Sequence, residues 1–183
     1  SEADKIDYSK RGFIYGAIEG ELLMEYIKPQ KGTAGRDCRG VFIDSPEPLV
    51  SNIPTFKCDS TIEVADTPAS ITYKAKVKGY VSLESDLYSI KPDLEIKEVS
   101  FRKTGSVFTN LDSDVALNVK ENDSLKDAIG SGMSVEIHEI NVKGSVGSNS
   151  HVKAKIAKIE GQTHKTSTVS ADELFIHIHK GAA

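Results

Sequence analysis

A period of seventeen residues near the C-terminus constrains this chain more than any other feature. When residues 125–141, 142–158 and 159–175 are stacked, four columns are wholly apolar. They are Leu125, Val142 and Ile159; Val135, Val152 and Val169; Ile137, Ala154 and Ala171; and Ile140, Ala157 and Leu174. With 38% apolar residues overall, about one column in seventeen would qualify by chance, so the period is a property of the fold. It predicts a coiled β-solenoid, in which inward side chains stack on those of the next coil and backbone hydrogen bonds run between coils. The i, i+2 pairs Val135 with Ile137, Val152 with Ala154, and Val169 with Ala171 should point inward. Glu136, Lys153 and Ser170 should then point out. Gly130 and Gly147 share one column and Gly144 and Gly161 another, as expected of corners with unusual backbone angles. An earlier coil ends at Val115, Leu117 and Val119, one residue out of register, so coil length should vary between about seventeen and twenty residues.

Upstream, the pattern is strand and turn. Residues 1–12 read as a loose polar segment. FIYGAIEGELLMEYIKP suits a strand, a turn at Glu19 and Gly20, and a second strand, with a helix over 19–26 as the competitor. GTAGRDCRG and the proline-broken VFIDSPEPLVSNIP form a connecting or docking segment. From Thr61 come successive strands with turns at 66–68, 78–79 and 92–93. Ile71, Tyr73, Ala75 and Val77 alternate with Thr72, Lys74 and Lys76, which gives one buried and one wet face.

Charge and cysteine usage narrow the function. The net charge of −4 argues against nucleic-acid phosphates or anionic membrane as partners, although residues 140–183 carry +3, which leaves −7 on the rest. Cys38 and Cys58 lack any zinc-binding spacing and read as reduced thiols. No membrane-spanning run or signal peptide is present, so a cytoplasmic protein is expected. The start without Met and the end just after a strand read as an excised fragment.

No complete catalytic motif appears, and neither a metal nor a cofactor is expected. His138, His151, His164 and His177 are thirteen apart and fall in different columns; His177 with His179 shares a strand face but has no third ligand. Asp112 with Asp114, and Glu136 with His138, are same-face pairs that would need a water-excluding cleft to act as acids and bases. The loop at 32–40 lacks the Lys-Ser/Thr end of a phosphate-binding loop. Its Arg36, Asp37 and Arg39 form a surface ion-pair group or a docking contact.

The segments GELLMEYIKPQKGTAGRDCRGVFI, SIKPDLEI and INVKGSVGSNSHVKAKIAKIEGQTHKTSTVSADELFIHIHKG together resemble the bacterial flagellar assembly protein A family over about residues 13–181. The most specific parts are Gly32, Gly35, Arg36, Asp37 and Gly40 of G-x-x-G-R-D-x-x-G, and the closing coils with Gly144, Gly161, Ala171 and His179-Lys180-Gly181. The resemblance implies an all-β fold: a right-handed parallel β-helix over 100–183, preceded by a small, mainly β domain over 13–99. It also implies a cytoplasmic role in flagellar assembly and a helical C-terminal continuation that this chain lacks. The expected function is a non-catalytic scaffold that displays outward side chains to a protein partner. The candidate contacts are Gly32, Gly35, Arg36, Asp37, Arg39 and Gly40 in the loop, and Lys153 and Lys155 on the coils. Self-association into a cytoskeletal element is the second expectation. A carbohydrate-active enzyme is the third, weakened by the absence of Trp.

Overall fold

The computed structural model describes residues 14–48 and 56–177; the expected loose segment 1–12 lies outside them. Among the described residues there are seventeen strands and no helix, so the fold is all-β. No helix is long and apolar enough to cross a membrane.

The first nine strands build two small sheets and a separate hairpin. They are β1 (Gly16–Ala17), β2 (Leu22–Ile27), β3 (Gly35–Arg36), β4 (Phe42–Ile43), β5 (Lys57–Cys58), β6 (Ile62–Asp66), β7 (Ser70–Ala75), β8 (Gly79–Glu84) and β9 (Leu87–Lys91). Strand, not helix, wins over 19–26: Gly20 takes a φ of 82° in the turn and β2 then pairs antiparallel with β7. One sheet runs β2-β7-β6 and the other β1-β8-β9-β5. Their shared core is Ala17, Ile62, Ile71, Tyr73, Ala75 and Ile90. Val77 leaves the alternation, at 41% exposure, because β7 ends at Ala75 and the chain reverses into β8. The reversal from β8 to β9 passes through Ser85 and Asp86, whose φ values of 51° and 63° suit the right-handed twist of a two-residue hairpin.

The rest is a parallel stack. Its strands are β10 (Asp93–Ile96), β11 (Val107–Phe108), β12 (Ala116–Lys120), β13 (Asp127–Ile129), β14 (Ser134–Lys143), β15 (Ser145–Val146), β16 (His151–Glu160) and β17 (Thr168–His177). The main sheet runs β10-β12-β14-β16-β17, all parallel, with β11 beside the first half of β14. Val135, Val152 and Val169 are aligned, as are Ile140, Ala157 and Leu174, so the sequence period is the strand register. Each ten-residue strand bends in the middle. In β14, Val135 and Ile137 face in, His138 and Glu139 both stay partly exposed, and Ile140 and Val142 face in again. β13 pairs parallel with β15, and single bridges join Val99 to Ile129 and Val146 to Thr163.

The early steps between paired strands are longer than the expected seventeen to twenty residues. Leu94, Leu117 and Ile140 are aligned at steps of twenty-three residues, after which the step falls to seventeen. Residues 109–115 and 121–126 supply the excess. Consequently Leu125 does not occupy the column with Val142; it is 93% exposed on the second insertion, and Val119 takes its place. The stack already begins at β10, within the segment that the sequence assigned to the first domain.

The core of the stack is apolar. Leu117, Ile129, Ile137, Ile140 and Ile159 are fully buried, and each such side chain contributes roughly 1.5–3 kcal/mol. Ile14 and Tyr80 from the first sheets join this core. At Gly16 a Cβ would lie 2.9 Å from Thr109 Cβ, so only glycine lets β1 approach the stack this closely.

Candidate functional site

The glycine-rich segment forms a hairpin that stands alone. Gly35 pairs with Ile43 and Arg36 with Phe42, and neither β3 nor β4 joins a larger sheet. The turn is built by Asp37, whose Oδ1 accepts hydrogen bonds from the backbone N–H of Arg39 and of Val41, both at 2.8 Å. Gly40 closes the turn with a φ of 77°, an angle that a Cβ would penalise. Arg36 does not pair with Asp37. Its guanidinium donates to the Gly40 carbonyl at 3.0 Å and lies 5.9 Å from the centre of the Phe42 ring. Arg36, Asp37 and Gly40 thus make the hairpin. What it presents is apolar: Val41, Phe42 and Ile43 are more than half exposed, an unusual display for three consecutive residues. Gly32 lies apart from the turn, packed so close to Ser45 that a Cβ would reach its Oγ at 2.7 Å.

The two candidate lysines lie outward on β16, away from the hairpin in sequence and on a different sheet. Lys153 lies beside Ser170 in register and 3.5 Å from Glu136. Lys155 donates to Asp112 Oδ1 at 2.6 Å. The acidic pairs noted in the sequence are therefore spent on cations. Lys155 holds the Asp112 carboxyl below its ordinary range, mainly through this hydrogen bond. Asp114 lies 3.3 Å from Lys78 and 3.4 Å from His138 Nδ1, and that nitrogen is 2.8 Å from the Leu111 carbonyl. A carboxylate kept ionised by a neighbouring ammonium is poorly suited to donate a proton. Among the described residues no three His, Cys, Asp or Glu side chains are grouped to hold a metal; His179 lies outside them.

Sequence reasoning missed an apolar cleft of about 300 Å³ between the two N-terminal sheets. Leu23 and Met24 of β2, Tyr73 of β7, Val81 of β8, Tyr88 of β9 and Cys58 of β5 line it. Burial pushes the Cys58 thiol above its usual pKa, with Asp59 adding to the effect. Phe56 forms one wall, edge-on to both Tyr73 and Tyr88 at centroid distances of 5.8 and 5.6 Å. The only sequence signal was the aromatic content of 56–88, which alternation alone assigns to an ordinary core.

The hairpin, and every lining residue of the cleft named here except Tyr88, fall within residues 1–86, the segment that matches the Flagellar Assembly Protein A N-terminal region. Residues 1–86 are thus a flagellar assembly protein A N-terminal region. The match ends before β10, so the parallel stack lies beyond the part of the family it describes. No curated protein and no solved structure matches the chain.

Proposed function

We propose that this protein is a non-catalytic scaffold acting in bacterial flagellar assembly or its regulation in the cytoplasm, with the parallel stack forming a right-handed β-helix. The carrying observation is the register of β14, β16 and β17, which aligns Glu136, Lys153 and Ser170 in one outward row. Adjacent strands hold such a row at about 4.8 Å per step, so side chains are displayed on a spacing that a partner can read. The exposed Val41, Phe42 and Ile43 supply a second contact of the apolar kind that anchors protein interfaces. The match of residues 1–86 to the Flagellar Assembly Protein A N-terminal region supports the setting.

The test is capture from a lysate of a flagellated bacterium with three baits: wild type, Lys153→Gln with Lys155→Gln, and Val41→Ser with Phe42→Ser. A flagellar protein captured by wild type and lost from one variant, with unchanged thermal melting, is the expected result. Equal recovery with all three baits, or recovery of no flagellar protein, would overturn the reading.

A second reading, self-association, is favoured by one observation. Leu174 and Ile176 are 44% and 45% exposed, although their columns are fully buried in β14 and β16. β17 is the outer strand of its sheet, and such an edge can pair with another chain. Two such edges paired across a two-fold axis close on themselves, so a closed dimer is the form expected. Sedimentation velocity at rising concentration distinguishes a monomer from a dimer or a growing series.

A further inference from the structure

The cleft between the N-terminal sheets is too apolar and too open to be an ordinary packing defect. Half-buried apolar side chains from β2, β5, β8 and β9 converge on it, together with Phe56. Its volume of about 300 Å³ is at the lower end of ligand sites, and twice that of a cavity known to admit a single benzene ring. A two-ring group such as indole therefore fits. The walls include no charged side chain. Two polar atoms there are already engaged: the Tyr73 hydroxyl accepts from the Phe56 N–H at 3.4 Å, and the Tyr15 hydroxyl donates to Glu21 at 2.6 Å. Burying a charged group against such walls is costly, so the occupant is uncharged. Met24 and Cys58 add polarisable sulfur, which favours contact with an aromatic ring.

The surroundings indicate what carries that ring. Phe56 and Tyr88 also bound a second depression of about 330 Å³, lined further by Lys57, Leu83 and Asp86. An apolar hole beside a shallower, charged depression, with one shared aromatic wall, suits an extended chain. One residue would fill the hole and its neighbours would lie across the rim. A buried aromatic anchor surrounded by weaker polar contacts is the usual distribution of energy in a protein interface.

We propose that this cleft is a peptide-docking site, which receives an uncharged aromatic side chain, tryptophan-sized, from a short extended segment of a protein partner. The aromatic specificity rests on the cleft alone; the peptide source rests on reading the chain as a partner-binding scaffold.

The sequence contains no Trp, so indole emission reports the ligand without background. N-acetyltryptophanamide titrated into the purified protein should show a saturable blue shift with a Kd of about 0.1–1 mM. Val81→Phe, which fills the cleft, should weaken binding at least tenfold, whereas Leu125→Ala, on an exposed loop of the parallel stack, should retain it. Because Val81→Phe could perturb folding, a second readout uses Cys58 in a Cys38→Ser background. Its reaction with an uncharged maleimide should slow several-fold when the amide is bound. A five-residue peptide with a central Trp flanked by polar residues should bind at least tenfold more tightly than the amide. An unshifted or non-saturable emission, or unchanged Cys58 reactivity at a saturating dose, would overturn the cleft as an aromatic site. A peptide no tighter than the amide would overturn the peptide source and leave a small aromatic molecule as ligand. Tight peptide binding combined with failure to capture a flagellar protein would sink the cellular role and not the site.

Discussion

Gly161 shows how much a single residue can decide in a stack of parallel strands. A Cβ there would lie 2.2 Å from the Gly144 carbonyl oxygen, and φ is 154°, outside the range that side chains favour. Gly161→Ala should therefore cost about 3 kcal/mol, read as a lower denaturant midpoint with an unchanged m-value. The unusual backbone angles expected of this column are present, since Gly144 also has a positive φ, 130°. It gave the wrong reason for the other glycine column. Gly130 and Gly147 have no positive φ; at Gly147 it is space that forbids a side chain, because a Cβ would lie 2.5 Å from Asp127 Oδ2 and 2.7 Å from the Ser131 nitrogen. Spacing reveals that small residues recur but cannot separate angle from clearance. Asp112 supplies the prediction for pH. Its folded pKa is depressed by Lys155, so the pair's contribution is complete above the unfolded carboxylate value of about 3.9 and fades as pH falls through the folded one. The small difference in melting temperature between wild type and Asp112→Asn should accordingly be largest near pH 7 and vanish at the acid end of a pH series.

At the scale of the element, a strand's column position matters more than its own sequence. Val135, Val152 and Val169 were legible because successive parallel strands repeat the same inward residue at a constant step. Leu125 misled because a loop can imitate a column when an apolar residue falls at the right distance. Only pairing reveals that Val119 fills the position. The insertion behind this error should be dispensable. Glu121 lies in the column of Gly144 and Gly161, and Asp127 aligns with Ser145, which leaves residues 122–126 without a counterpart in the next coil. Deleting those five residues together with Glu121→Gly should give a folded protein whose strand-to-strand step is within one residue of its neighbour's, the bulge at Ala128 being the remainder. Glu121 is the one buried side chain with an unpartnered oxygen, Oε2, among the described residues, and its removal also lifts a desolvation cost. Retained two-dimensional amide spectra for β14 and β16, with melting within a few degrees of wild type, is the expected outcome. Loss of cooperative unfolding would mean that the loop holds the corner in place.

At the scale of the whole molecule, the two halves are joined by a small contact whose strength decides whether the chain behaves as one unit. Ile14 and Tyr80 are buried in the core of the stack, Gly16 lies against Thr109 and Ser113, and Lys78 reaches Asp114 at 3.3 Å. Four of these groups, Ile14, Gly16, Lys78 and Tyr80, come from the N-terminal half, so the core of the stack is completed by side chains from outside it. None of this was legible from sequence, because the residues are far apart along the chain and follow no period. The ion pair is half exposed and should contribute little, about 0–1 kcal/mol. Tyr80 and Gly16 should dominate. Wild type should therefore unfold in one calorimetric transition. Tyr80→Ala, which opens a cavity at the junction, should lower stability by about 3–4 kcal/mol and separate the melting of the stack from that of the sheets. Gly16→Val should do the same by forcing β1 away from Thr109. Lys78→Ala should leave the single transition intact. If all three variants retain one transition, then the covalent link through β9 and β10 couples the halves and the side-chain contact does not.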